Sequence, residues 1–360
     1  MRRILLASML ACACACANTA FAQDASPVSA STAESASVTD LDSVVVRGVV
    51  PGPGLWKVSK GDHVLWVLGT LSPLPKDITW DSHHVESVIA KSQEVLAAPQ
   101  VGLKANTGFM GLGLLTMLPS LIGLRNNPDG AMLKDVVSPD LYARWSVLKQ
   151  KYIGGSNKVE KWRPIFAALN LYEAAIDKAG LTDKSLAQNA VAAAAKHSGV
   201  KTTTPTIEVA FDNAKVAIKE FKASALDDRE CFRKTLDRID TDLDAMTARA
   251  NAWSMGDIDA LRKLPYTDQM GACMAAISET QMAQKRGAVG IEVRAQQAWL
   301  DAAAKALDTN NVTFAMLPIS RLLRTNGYLA RLKAMGYAVE EPASKTPVPV
   351  EAQSTDSAGR

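Results

Sequence analysis

Residues 55–72 are LWKVSKGDHVLWVLGTLS, and this stretch decides the fold. Two apolar, β-prone runs flank the turn signal Gly61-Asp62, a spacing that is typical of a β-hairpin. The second run, VLWVL, is apolar at successive positions, as in a strand that is covered on both faces inside a layered α/β core. It continues into GTLS, where we expect the strand to open into a loop, a common location for functional residues.

Composition limits the classes of protein that fit this chain. It has 360 residues, of which 48% are hydrophobic and 21% charged, so it is long enough and apolar enough to bury a large core. The net charge is only +3, and arginine and lysine do not cluster among aromatic residues. We therefore expect no nucleic-acid partner.

The amino terminus has the pattern of a secretory signal over residues 1–22. Arg2 and Arg3 precede an apolar segment, and Ala20-Phe21-Ala22 matches a cleavage site. A retained membrane anchor would need a longer apolar run. The pattern predicts export, to a bacterial periplasm or to the cell exterior.

Cysteine use agrees with an exported chain. Three of the five cysteines lie within the predicted signal, which leaves Cys231 and Cys273. In an oxidising compartment these two can form a disulfide, and the closed loop of about 43 residues would stabilise the fold by about 4 kcal/mol. We expect this disulfide, with two separate buried thiols as the alternative.

Between two flexible ends the pattern is mainly helical. Residues 23–53 have a Ser-, Ala- and Thr-rich composition that predicts a flexible leader, and residues 342–360 predict a disordered tail. A nearly continuous helical pattern covers residues 207–284, and helices are also predicted over 294–307 and 322–335. Apolar strands are predicted over the following ranges: residues 312–317 and 336–340.

An uncharged run lies between Lys104 and Arg125. Its glycines and Pro119 interrupt any membrane span, so length and composition favour a buried helix. The alternative is an apolar surface from Phe109 to Leu124 that makes weak contact with a membrane or a partner.

The hairpin and the LGT-hydrophobic sequence after it resemble the TraB/GumN family, whose relatives include the Tiki metalloproteases. Further family elements follow in the same order: LKDVVSPDLY from residue 133, Trp162-Arg163-Pro164, a tryptophan before Gly256-Asp257, and a closing strand–helix–strand unit. The resemblance covers residues 54–341. It implies an α/β (α+β) fold, with a mixed central sheet from amino- and carboxyl-terminal strands and a helical insertion over about residues 100–310.

The resemblance also implies where a metal site would lie. Active family members hold a divalent ion with two Gly-x-x-His motifs and acidic residues, so that the ion can activate water. In this chain the corresponding positions carry side chains that are poor ligands or no ligands: Ser72, Ala98, Pro205 and Ser320. The family's basic position is kept as Arg294. These replacements predict no metal, no cofactor and no catalysis by the family mechanism.

Two functions remain open. The first is a non-catalytic scaffold that uses its altered cleft to bind a protein or peptide. The alternative is a metal-dependent hydrolase or protease of the Tiki type with replacement ligands. His83 and His84 are adjacent and so diverge, and we expect both at the surface. The chain has no Gly-x-Ser-x-Gly elbow, which argues against a serine hydrolase.

Overall fold

The computed structural model describes residues 48–105, 118–211, 214–224, 226–266 and 268–343. Its strands are numbered in chain order: β1 Gly48–Val50, β2 Leu55–Lys60, β3 His63–Thr70, β4 Leu74–Pro75, β5 Ile78–Trp80, β6 Glu94–Leu96, β7 Gln100–Ala105, β8 Leu181–Thr182, β9 Lys201–Thr203, β10 Thr206–Phe211, β11 Val312–Pro318 and β12 Ala338–Glu340.

The α-helices are numbered in the same way: α1 His83–Ala90, α2 Leu118–Leu121, α3 Leu133–Val136, α4 Pro139–Tyr152, α5 Pro164–Lys178, α6 Leu186–His197, α7 Ala214–Ala223, α8 Arg229–Thr241, α9 Leu243–Met255, α10 Ile258–Lys263, α11 Gln269–Ser278, α12 Gln281–Lys285, α13 Ile291–Thr309, α14 Ile319–Leu322 and α15 Tyr328–Ala334. Short 3₁₀ turns cover Pro128–Gly130 and Val159–Lys161.

A mixed six-stranded sheet with the order β12-β2-β3-β11-β6-β9 forms the centre. β2 pairs antiparallel with β12 and with β3, whereas β3, β11, β6 and β9 are parallel. Val312 of β11 lies opposite Val64 of β3, so a strand from near the carboxyl terminus lies beside the hairpin. The predicted mixed α+β fold is confirmed, and β2 and β3 form the predicted hairpin.

The core of this sheet is built from large aromatic residues. Trp56 on β2, Phe314 on β11, Trp253 on α9 and Trp299 on α13 are all at most 1% exposed. Each belongs to one cluster that joins the sheet to its covering helices. Burial of such side chains contributes about 2–3 kcal/mol each, which makes this cluster the main support of the sheet.

The helical region has a hydrophobic cluster of its own. Trp145 on α4 and Phe232 on α8 are fully buried, with ring centroids 5.6 Å apart. Cys231 on α8 and Cys273 on α11 form a disulfide with an S–S distance of 2.02 Å. The predicted pairing of these two cysteines is therefore confirmed.

The leader predicted over residues 23–53 extends too far. Residues 48–50 form β1, which pairs in parallel with β5, and Val50 is buried. The Gly52 amide donates a 2.8 Å hydrogen bond to the carbonyl oxygen of Ser254. The structured part of the chain thus begins before the Pro51-Gly52-Pro53-Gly54 sequence that suggests a boundary.

The helical pattern predicted from residue 207 is wrong at its start. Thr206–Phe211 is β10, which pairs in parallel with β7 over six residues. Thr206, Ile207 and Val209 are β-branched and favour a strand once a partner strand is present. The predicted insertion over residues 100–310 therefore contains strands as well as helices, and β9 within it joins the central sheet.

The single helix predicted over residues 322–335 is interrupted. α14 ends at Leu322 and α15 begins at Tyr328. A Cβ atom at Gly327 would overlap the backbone carbonyl of Arg321, so this close turn requires glycine. The turn brings Arg321 and Tyr328 together near the end of β11.

The apolar run between Lys104 and Arg125 is only partly described, since residues 106–117 lie outside the described ranges. In the described part, Leu121 is 42% and Ile122 77% exposed, so the predicted buried helix is wrong for these residues. Among the helices that the structure describes, none is long and apolar enough to cross a membrane.

Candidate functional site

The four positions that the family resemblance marks lie beyond the same edge of the central sheet. β3, β6, β9 and β11 run in parallel, so their carboxyl ends meet at this edge. Each marked residue lies two positions beyond the last residue of one of these strands: Ser72, Ala98, Pro205 and Ser320. In open parallel sheets this edge is the usual place for a ligand cleft.

Two buried tryptophans fix the strand ends from distant helices. The indole Nε1–H of Trp253 donates to the carbonyl oxygen of Gly69 at 2.7 Å. The Nε1–H of Trp299 donates to the carbonyl oxygen of Ala97 at 3.1 Å. Because both acceptors lie near the sheet edge, these bonds hold the backbone before Ser72 and Ala98 in place.

Ser72 and Pro205 each form a hydrogen bond within the protein. The Ser72 hydroxyl donates to Oδ1 of Asp183 at 2.7 Å, on the loop after β8. The Pro205 carbonyl accepts a 2.9 Å hydrogen bond from the Gln100 amide at the start of β7. Neither residue lines the cavity that Ala98 and Ser320 share.

Ala98 and Ser320 line a common cavity of about 310 Å³, here called the strand-edge cavity. Its polar wall comes from α13, α15, the α14 turn and the residue before α11: Asp268, Glu292, Arg321, Arg324 and Tyr328. Its apolar wall includes Val101, Met270 and Met274. The structure thus brings together two of the four marked positions and adds charged side chains beside them.

Two arginines dominate the polar wall. Nη2 of Arg324 lies 2.6 Å from Oδ2 of Asp268, and Nη2 of Arg321 lies 3.2 Å from Oε1 of Glu292. Burial alone would raise the pKa of Asp268, but the Gly271 amide and Arg324 outweigh burial and hold that pKa below its usual value. Asp268 also caps α11 through a 2.9 Å bond from the Gly271 amide. The carboxylate is therefore ionised and already bound.

Tyr328 is 1% exposed and is one of the residues that line the strand-edge cavity. Burial raises the pKa of Tyr328, and the adjacent Arg321 opposes that rise. Within the described residues, the hydroxyl has no hydrogen-bond partner of ordinary geometry. A guanidinium group has donors only, so Arg321 cannot accept the hydroxyl proton. The Tyr328 O–H is a buried donor without an acceptor.

Arg294, the basic position marked by the resemblance, does not line this cavity. It lies exposed on α13, and its Nη1 donates to the carbonyl oxygen of Gly287. Arg321 and Arg324 supply the positive charge instead. Their position in Ser320-Arg321-Leu322-Leu323-Arg324, directly after a predicted strand, is a sequence signal that could have identified them.

The side chains present do not fit a divalent ion. The described ranges contain no group of three or more His, Cys, Asp or Glu side chains placed to hold a metal. The two carboxylates of the cavity, Asp268 and Glu292, already bind guanidinium groups. His83, His84 and His197 are exposed. His63 Nδ1 lies 2.7 Å from the carbonyl oxygen of Leu307.

The fold and the site define an α+β protein with a parallel-strand edge and an arginine-lined cavity at that edge. The model of the TraB/PrgY/gumN family matches residues 54–341, and the chain belongs to this family. The comparisons with curated proteins and with solved structures found no match.

Proposed function

We propose that this protein is a non-catalytic binding module that uses the strand-edge cavity to hold a ligand or a partner segment. One observation supports this most strongly. The four residues that lie two positions beyond the ends of the parallel strands are Ser72, Ala98, Pro205 and Ser320. None of these four side chains is an imidazole or a carboxylate. The cavity beside them has arginine, tyrosine and apolar walls, which suit recognition better than metal-assisted hydrolysis.

The surrounding structure supports a preformed site. Trp299 holds the backbone before Ala98, and the tight turn at Gly327 places Tyr328 against Arg321. A site on rigid elements loses little entropy when a ligand binds, and so can bind without rearrangement.

The same proposal places the protein outside the cytoplasm. The charged start, apolar segment and Ala20-Phe21-Ala22 sequence support a cleaved signal. The Cys231–Cys273 disulfide agrees with an oxidising compartment. Cell fractionation, with mass spectrometry of the mature amino terminus, is expected to find a chain that begins at Gln23. A chain retained in the cytoplasm with Met1 intact would contradict export.

A weak membrane-surface contact over residues 109–124 belongs to the proposal as well. The exposed Leu121 and Ile122 at its described end support this role. Two exposed apolar side chains give only modest affinity, so the contact would assist binding at the cavity rather than replace it.

Hydrolysis of peptides tests the non-catalytic part. The purified full-length chain is incubated with a mixture of synthetic peptides, with and without a chelator, and the products are analysed by mass spectrometry. We expect no cleavage that depends on a metal. Cleavage that stops on chelation and returns when a divalent ion is added would instead support the hydrolase alternative.

A further inference from the structure

The strand-edge cavity has two guanidinium groups and two carboxylates, and a neighbouring cavity adds a further positive charge. This neighbouring cavity of about 490 Å³ shares Arg321, Arg324 and Tyr328 with the strand-edge cavity and adds Arg331. Three guanidinium groups thus face two carboxylates, Asp268 and Glu292, which leaves one positive charge. Arg331 forms no ion pair with any residue in the described part of the chain. The joined cavities therefore have one net charge available for a monoanion.

A second, independent observation points to an acceptor group from outside the chain. Tyr328 lines both cavities, and its buried hydroxyl has no acceptor among the described residues. An unsatisfied buried donor costs about 1–3 kcal/mol, and a ligand oxygen that accepts this proton would recover that cost.

The strand-edge cavity also has apolar lining residues that are partly open to solvent. Val101 is 42%, Met270 53% and Met274 42% exposed. Methionine side chains adapt to different apolar shapes and are common on binding surfaces. A cavity of about 310 Å³ is at the small end of ligand sites and suits one apolar side chain or a short alkyl chain.

We propose that the strand-edge cavity and its neighbour together bind a carboxylate attached to an apolar group. Arg324 and Tyr328, which line both cavities, and Arg331 of the neighbour would hold the carboxylate, and Met270 and Met274 of the strand-edge cavity would contact the apolar part. This inference rests on the proposed function, since it names the ligand class of the same cavity. A carboxylate matches the planar fork of a guanidinium and accepts a hydroxyl proton. A phosphate dianion would exceed the single uncompensated charge.

Two kinds of ligand have a carboxylate attached to an apolar group: a peptide whose last residue is apolar, and a medium-chain fatty acid. The full-length protein is titrated with a fluorescein-labelled peptide that ends in Ala-Leu with a free carboxylate, and with the same peptide as a carboxamide. Fluorescence anisotropy reports binding, and decanoate is added as a competitor and titrated alone by calorimetry.

We expect carboxylate ligands to bind and the carboxamide to bind at least about tenfold more weakly, the loss expected for one charge-assisted hydrogen bond. Arg331→Gln should weaken binding by about tenfold, and Tyr328→Phe by roughly three- to tenfold. Arg294→Gln is the matched control, because this exposed arginine of α13 does not line the cavities. Its affinity should equal that of the native chain.

The peptide and decanoate titrations also distinguish the two kinds of ligand. Binding of the peptide carboxylate identifies a peptide terminus, and binding of decanoate alone identifies a fatty acid; both outcomes support the proposal. Equal affinity for the carboxylate and the carboxamide peptide would overturn the proposal. Failure of both the peptide carboxylate and decanoate to bind would also overturn it. So would an equal loss of affinity in Arg294→Gln and Arg331→Gln. Such a failure leaves the non-catalytic proposal intact, because that proposal fails only if metal-dependent cleavage is found.

Discussion

The indole Nε1–H of Trp299 donates a hydrogen bond to the carbonyl oxygen of Ala97 across 202 residues of sequence. The acceptor directly precedes Ala98, a wall residue of the strand-edge cavity. Trp253 makes the equivalent bond to Gly69, at the end of β3. Helices that are distant in sequence thus set the backbone at two strand ends, which links the packing of the helical region to the shape of the cavity.

Trp299→Phe should destabilise the protein by about 2–4 kcal/mol. The substitution leaves the buried Ala97 carbonyl without its donor and removes part of a fully buried ring. The free energy of unfolding in urea measures the effect. Trp66→Phe is the control, since Trp66 is only partly buried against the same cluster, and a smaller loss is expected. Equal losses would show that the bond to Ala97 contributes nothing.

Removal of the disulfide should lower stability by about 4 kcal/mol, because the bridge closes a loop with a sequence separation of 42 residues. The double variant Cys231→Ala, Cys273→Ala is compared with the native chain by urea unfolding under oxidising conditions. The difference should shrink when both proteins are unfolded in a reductant. A double variant as stable as the oxidised native chain would contradict the pairing.

Asp228 should make stability depend on pH. Burial raises its pKa to about 6, against the opposing effects of the Ile165 amide and Arg163. The folded state therefore binds this proton more tightly than the unfolded state does. Stability should fall by about 3 kcal/mol as pH rises from about 4 to about 6, and then level off.

The variant Asp228→Asn isolates this effect, because its amide oxygen can still accept the 2.8 Å bond from the Ile165 amide. Urea unfolding at several pH values should show the native chain losing stability relative to the variant over that interval. A difference between the two proteins that does not change with pH would contradict the raised pKa.

The apolar run over residues 109–124 should contact anionic lipid vesicles weakly. Leu121→Glu combined with Ile122→Glu should reduce co-sedimentation with vesicles, because it removes exposed apolar area and adds negative charge. Val147→Glu is the control, since Val147 is 69% exposed on α4, away from this run in sequence. Unchanged co-sedimentation of the double variant would remove the membrane contact from the proposal.

The sequence predicts the central sheet well, because its signals are local. The VLWVL run and the turn at Gly61-Asp62 define β2 and β3, and the family resemblance identifies residues that do lie two positions beyond parallel strands. β10 could not be predicted in the same way. Its partner β7 is about a hundred residues away, and the apolar spacing that begins at Phe211 also fits a helix.

The position of Arg321 and Arg324 after β11 is visible in the sequence, but their contacts with Tyr328 and Asp268 could not be predicted from the local pattern. Arg321 and Tyr328 meet only because the turn at Gly327 interrupts the helix that the sequence suggests. Asp268 joins them from before α11, and a contact of this kind depends on tertiary packing rather than on spacing. The one basic residue that the resemblance marked, Arg294, points to a loop carbonyl instead.

The metal content of the purified full-length protein tests most directly whether the strand-edge cavity has lost the family's metal site. The protein is dialysed against a metal-free buffer and analysed by mass spectrometry of the elements, beside the variant Asp268→Asn, Glu292→Gln, which lacks both carboxylates of the cavity. We expect far less than one divalent ion per chain in both proteins. One tightly held ion per native chain, released by a chelator and missing from the variant, would contradict the proposed loss of the metal site.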